Sequence, residues 1–148
     1  MMEQYKYIIV PFITLLMCQT IKFILESIIN KKIIWNRLFN GTGGMPSSHT
    51  SFSTSLTMML GLNIGFDSPL FAIAIVFTFI VSYDAMGLRM ESGKQAEAIN
   101  KIVNDTLTKK ERKKYKKLKE KLGHKPLEVL MGILFGITSA LFFTNVVF

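Results

Sequence analysis

The chain has 148 residues, 49% of them hydrophobic, with a mean hydropathy of +0.34 and a net charge of +8. That length suits one domain, and the charge falls in blocks between long apolar runs, which favours a small multispanning membrane protein over a basic nucleic-acid binder. Cys18 is the only cysteine, which excludes an intrachain disulfide and a two-cysteine zinc site.

Residues 7–29 form the first apolar stretch. With no basic leader and no small-residue cleavage site, it reads as a retained span. Gln19, Lys22 and Glu26 share one helical face, which should look at protein or water because charge is costly in hydrocarbon; alternatively Lys22 and Glu26 pair and snorkel at the membrane edge. A short basic connection over 30–44 carries Lys31, Lys32 and Arg37, with Trp35 and Phe39 suited to the interface.

That connection runs into Gly43-Gly44-Met45-Pro46-Ser47-Ser48-His49-Thr50-Ser51. A glycine-rich turn feeding a helix start offers backbone N–H groups and a positive dipole end, which suit an anion. His49 stands at its mouth, where a histidine can move protons near neutral pH. The plainer reading is a loop and a helix cap on Ser47 or Ser48.

A second span is expected over 50–66, its small hydroxylated residues allowing close helix approach. Asp67-Ser68-Pro69 is a helix-start signal for a third span over 70–85. Residues 87–125 form a polar insertion. Ser92-Gly-Lys-Gln95 reads as a capping box before a helix through Val103, broken at Asn104-Asp105. Thr108-Lys-Lys-Glu111 reads as a second box, opening a basic helix over 108–122 that is either solvated or laid on anionic headgroups. The fourth span is 126–147, with Gly132 and Gly136 as a small-residue packing face.

The expected fold is therefore all-α: one integral membrane bundle over 1–148, of four transmembrane helices and a cytoplasmic basic helical insertion. Both basic loops fall on one side, the cytoplasm by the positive-inside rule, against the weak vote of Lys6. This topology gathers the His49 motif, Asp84, Arg89, Lys94 and the start of the last span on one membrane face. His124, the other histidine, stands there in Gly123-His124-Lys125-Pro126, and Glu128 lies four residues on, where it can face the ring. Two histidines at two helix entrances among cations suit phosphoryl transfer: one attacks phosphorus and the other protonates the leaving oxygen. The carboxylates and histidines do not make a zinc set, so no metal or other cofactor is expected.

Gly44-Met-Pro-Ser-Ser-His49-Thr-Ser resembles the second signature of the type 2 phosphatidic acid phosphatase superfamily, which includes the vanadium haloperoxidases. Gly123-His124-Lys-Pro-Leu-Glu128-Val-Leu-Met-Gly132 resembles the tail of its third signature. Ser82-Tyr-Asp-Ala-Met-Gly-Leu-Arg89, continuing to Gly93-Lys-Gln-Ala-Glu97, is similar to the short, divergent membrane branch, and the likeness covers roughly residues 10–140. The resemblance implies that His124 is the nucleophile forming a phosphohistidine, that Glu128 orients it, and that His49 is the general acid. It also implies that Ser47 and the amides around Gly44 and Ser48 hold phosphate without metal. The departures are Ser48 in place of a glycine, Glu128 in place of an aspartate, and a first signature that is absent, for which Lys22 and Arg37 are the candidates. Leu118 stands near the place of the third signature's arginine, and Arg89 is the candidate substitute.

The expected function is a cytoplasm-facing phosphatase in the cell membrane, hydrolysing a lipid-linked phosphomonoester or pyrophosphate. The alternative is a catalytically degenerate protein that binds anionic lipid or phosphate as a scaffold or transporter. Expected partners are lipid phosphates and membrane lipids rather than nucleic acid. A bundle this thin also suggests a homodimer, with Gly132 and Gly136 as one contact.

Overall fold

A computed structural model describes residues 2–33, 43–112, 114–120 and 123–147, without the side chains of 2, 3 and 109. Every regular element in the described residues is helical: α1 (Met2–Ile29), α2 (Ser48–Ile64), α3 (Pro69–Met86), α4 (Leu88–Thr106), α5 (Lys109–Arg112) and α6 (Pro126–Val146). Proline starts α3 and α6, and the Ser68 hydroxyl caps α3 by accepting from the Phe71 amide at 3.2 Å.

The bundle is built inside out. Its interior holds Ser48, Thr50, Ser51, Ser53, Thr54, Ser55 and Thr57 along α2, while Phe79, Ile73, Leu16 and Ile80 stand 62–71% exposed on the outer helices. In water such an outer surface would be unstable; in a bilayer it meets lipid, and small residues inside let the helices close up. Three stretches are long and apolar enough to cross a membrane: Gln4–Ile29, Pro69–Thr106 and Pro126–Val146. Within the second, the apolar part is α3, because α4 carries Arg89, Glu91, Lys94, Glu97, Lys101 and Asp105. The expected span over 50–66 is α2, only 17 residues, packed among α1, α3 and α6.

Helix directions follow from side-chain pairs. Lys22 near the end of α1 reaches Ser48 at the start of α2, and Lys6 near the start of α1 reaches Asn63 at the end of α2, so the two are antiparallel. Helices α2 and α3 are joined by the short turn 65–68, which makes them antiparallel, and the Thr57 hydroxyl meets the Ala74 carbonyl (3.1 Å) and the Thr78 hydroxyl (2.9 Å) across them. Helix α6 runs parallel to α2: a Cβ on Gly132 would come within 2.8 Å of the Ser47 carbonyl, one on Gly136 within 2.7 Å of the Ser51 carbonyl, and Thr144 meets Met59. The end of α1, the starts of α2 and α6 and the end of α3 therefore meet at one end of the bundle.

The polar insertion departs from expectation. Helix α4 begins at Leu88, so Ser92 lies inside it, its hydroxyl donating to the Leu88 carbonyl at 2.9 Å; it also runs through Asn104-Asp105 to Thr106. Of the basic helix expected over 108–122, the described residues hold only Lys109–Arg112. Glu111 does bond back to the Thr108 amide at 2.9 Å, the carboxylate half of the capping box. Residues 116–120 have no regular structure because Asn100, 3% exposed, takes their polar groups. Its amide nitrogen donates to the Leu118 carbonyl and to Glu120, both at 2.9 Å, and its oxygen accepts from the Leu118 amide (3.0 Å) and the Tyr115 hydroxyl (3.1 Å). A run of lysines also repels itself at helical spacing.

Candidate active site

The two histidine motifs meet through their glycines. Gly43 and Gly44 take φ +80 and +85, a left-handed turn that L side chains rarely adopt, and Gly43 lies against Gly123, whose carbonyl is 3.3 Å from an ideal Cβ there. Gly123, φ +85, backs onto the Met90 amide, 2.7 Å from its own ideal Cβ, so only glycine fits before His124. The His124 amide then donates to the Ala85 carbonyl at the end of α3 (2.9 Å), which seats the loop on the bundle.

His124 is 5% exposed, and its Nδ1 lies 2.7 Å from Glu128 Oε2. With Glu128 ionised, Nδ1 carries the proton and donates, which leaves the Nε2 lone pair as the reactive atom. Glu128 does more than orient. Its carboxylate also accepts from the Lys125 amide (3.3 Å), and its carbonyl accepts from the Ser47 amide (2.9 Å), tying the start of α6 to the start of α2.

Ser47 occupies the cap position of α2, but its hydroxyl pairs with Thr50 Oγ1 at 2.9 Å and does not cap the helix. Among the described residues no side chain caps α2, so its first amides can meet an anion. Helix α6 starts at the same end of the bundle and runs in the same direction, so its positive dipole end adds to that of α2. Lys22, 2% exposed, enters from α1 and donates to Ser48 Oγ at 2.6 Å. Lys22 thus faces protein, the first of the two readings of its helical face. Cys18 bonds the Pro46 carbonyl at 3.4 Å from the same face of α1.

His49 lies on the exposed surface at the start of α2, outside the three long apolar stretches. The crowding of its ring by the helix mouths and the charges of Arg89, Lys22 and His124 lower its pKa from the ordinary 6.5, while Asp84 opposes them. Burial also lowers that of His124; the Glu128 bond pushes it up, and Lys22 and Arg89 push it down. Both rings thus stand in one positive field. Arg89 is held by Asp84 at 3.1 Å on the surface at the start of α4. Lys94 stands farther along α4, paired with Glu91 at 2.6 Å and exposed. Arg37 lies outside the described residues. Among the described residues no three His, Cys, Asp or Glu side chains come together as a metal set.

Sequence reasoning passed over Thr50, which fixes Ser47, and Ala85, whose contribution is a backbone carbonyl with no side-chain signal. The small-residue packing face read in Gly132 and Gly136 is used within the chain: both are buried against Ser47 and the start of α2, where they bring α6 onto Ser47 and Ser51, and not on an outer surface as a homodimer contact would need.

The chain matches the Divergent PAP2 family over residues 4–139, a range that includes both histidine loops. It is 41% identical over 133 residues, 83% of this chain and 84% of the relative, to the uncharacterized membrane protein YuiD of Bacillus subtilis (strain 168). No solved structure matches. With both loops and the starts of the helices that follow them inside the matched range, the chain is a membrane protein that belongs to the divergent PAP2 family.

Proposed function

We propose that this protein is a membrane phosphatase that hydrolyses a lipid-linked phosphomonoester or pyrophosphate through a phosphohistidine. The observation that carries the reading is the buried His124–Glu128 pair at 2.7 Å, set where two parallel helix starts, Lys22 and Ser48 converge. His124 Nε2 attacks phosphorus, and the phosphorus–oxygen bond to the lipid breaks with its electron pair going to the leaving oxygen. Protonated His49 gives that oxygen its proton, and the lipid leaves as the alcohol, or as the monophosphate from a pyrophosphate. Now neutral, His49 takes a proton from water, which attacks the phosphohistidine and releases inorganic phosphate. The amides at the start of α2, with Ser47, Ser48, Lys22 and Arg89, hold the non-bridging oxygens.

The reading includes placement. Helix α2, at 17 residues about 26 Å long, serves as a fourth span inside the bundle. The site end, which bears the basic segments, faces the cytoplasm across the cell membrane by the positive-inside rule. Lipid phosphates are the partners, drawn from the bilayer.

Purified protein in detergent should release phosphate from lipid phosphates in the presence of a chelator, with vanadate as an inhibitor. His124→Ala and His49→Ala should each abolish release; if both leave it unchanged, the mechanism is wrong. A second reading rests on the two cations being engaged within the chain, Lys22 by Ser48 and Arg89 by Asp84. In that reading the pocket binds phosphate or anionic lipid without turnover, as a scaffold or transporter.

A further inference from the structure

All of the chain's net charge of +8 lies in residues 88–125, which carry 13 basic and 5 acidic side chains. The fold gathers this charge on an arm. Helix α4 leaves α3 at Gly87, whose ψ of −84 lies outside the helical range, and runs for 19 residues, about 28 Å. The chain then comes back along it: Leu118 and Glu120 bond to Asn100 on α4, and Gly123 lies against Met90 near the start of α4. The arm closes where it began, because the His124 amide bonds the Ala85 carbonyl at 2.9 Å. Both of its ends therefore stand at the site end of the bundle, where the exposed apolar surface of α3 stops.

The sides of α4 differ in composition. Gly93, Ala96 and Asn100 are buried, Asn100 beneath the returning chain. About a third of a turn away, Leu88, Ile99 and Ile102 share a stripe about 60° wide and stand 67%, 45% and 62% exposed. Cations flank this stripe. Exposed Lys94 and Lys101 lie about a third of a turn to its other side, and the returning chain carries exposed Lys114, Lys116 and Lys119 along the Asn100 side. An apolar stripe between two rows of cations is the pattern of a helix that lies in a headgroup layer. Nucleic acid would meet the cations but offers nothing to the isoleucines, and a second copy of the arm would bring like charge against like. The bilayer offers both anions and hydrocarbon, and it already surrounds the base of the arm.

We propose that the arm docks on anionic lipid headgroups of the leaflet at the site end, with Leu88, Ile99 and Ile102 toward the acyl boundary and the flanking lysines on the lipid phosphates. The docking goes beyond the phosphatase reading and does not depend on it.

The test uses the full-length protein in lipid nanodiscs, with an environment-sensitive dye on Ile102→Cys and, as control, on Glu97→Cys, which is exposed on the opposite side of α4. Cys18 is buried and escapes the dye. In discs holding phosphatidylglycerol, a quencher carried on the lipid tails should act on the dye at position 102 about fivefold or more over the dye at 97. In discs of phosphatidylcholine alone, or at high salt, that difference should largely vanish, because the attraction of exposed charges is then absent or screened. Lys114→Gln with Lys116→Gln and Lys119→Gln should abolish it too, with helical content by circular dichroism unchanged. A dye at 102 that stays in water in both kinds of disc would overturn the proposal. So would quenching that is equal in both discs and in the lysine variant. Burial of that dye only where a disc holds a second copy of the chain, or only on adding single-stranded RNA, would give the face to that partner and overturn the proposal as well.

Discussion

The Ser47 amide donates to the carbonyl oxygen of Glu128 at 2.9 Å, while the carboxylate of that same Glu128 holds His124 Nδ1 at 2.7 Å. One residue thus joins the His49 loop at the start of α2 to the His124 loop at the start of α6. It follows that the carboxylate can be altered while the carbonyl, and the contact between the loops, is kept.

Glu128→Gln tests that separation. The fold should persist, because the backbone bond to Ser47 remains. Catalysis should fall by about two orders of magnitude or more, since the amide no longer raises the basicity of the ring or holds its tautomer. Steady-state phosphate release together with circular dichroism checks both halves. A variant with wild-type turnover would show that Glu128 does not orient His124.

Gly132 and Gly136 carry the second prediction. A side chain at either meets backbone atoms of α2 at 2.8 and 2.7 Å, which a rotamer change cannot relieve. Gly136→Leu should destabilise the bundle by about 1–3 kcal/mol or more. Thermal unfolding in detergent reads this as a lowered midpoint, and an unchanged midpoint would contradict the packing. Crosslinking yield between copies should not depend on either glycine, because neither lies on the outer surface.

The third prediction uses the fact that the chain has two histidines, so ring NMR signals are few. Both rings have pKa values lowered from 6.5: His124 by burial, which outweighs the Glu128 bond, and His49 by crowding at the helix mouths, with Lys22 and Arg89 lowering each further. In the free protein both should therefore be neutral at pH 7 and gain their protons only as pH falls below 6.5. Lys22→Met removes a positive charge that acts on both, so both titrations should move upward. Phosphate binding should move His49 upward too, and so take up a proton. A His124 titration above 6.5 in the free wild type would refute the described burial.

How much of this was legible in the chain depends on the range of each interaction. His124 and Glu128 are four residues apart, and Pro126 marks the helix that joins them, so spacing alone implied the pair. The His49 turn was legible from Gly43, Gly44 and Pro46. Lys22 was harder: its candidacy came from charge within an apolar run, and only packing showed that it reaches Ser48. Within the helix expected over 108–122, residues 116–120 are not helical because Asn100 binds them, and its partners lie 15 to 20 residues away. Helical capping signals are local and carry no trace of that competition. Gly132 and Gly136 announced close helix packing, but not whether the partner lay in the same chain.

Asn100 supplies the fourth prediction. Asn100→Ala removes all four bonds that hold Tyr115, Leu118 and Glu120 against α4. The lysines of 114–119 should then be cut by trypsin about tenfold faster or more, as local opening becomes easy. Timed proteolysis of the protein in nanodiscs measures this, and equal cutting rates would show that Asn100 does not pin the segment.

The central claim is that His124 forms a covalent bond to phosphorus. Rapid quenching of the protein with lipid phosphate labelled in its phosphoryl group should trap label on the protein, stable to alkali and released by acid, as a phosphohistidine is. Peptide mapping should place it on His124, and His49→Ala, which slows both formation and hydrolysis of the intermediate, should not shift it elsewhere. Label on another residue, or phosphate release with no trapped label and undiminished turnover in His124→Ala, would contradict the account.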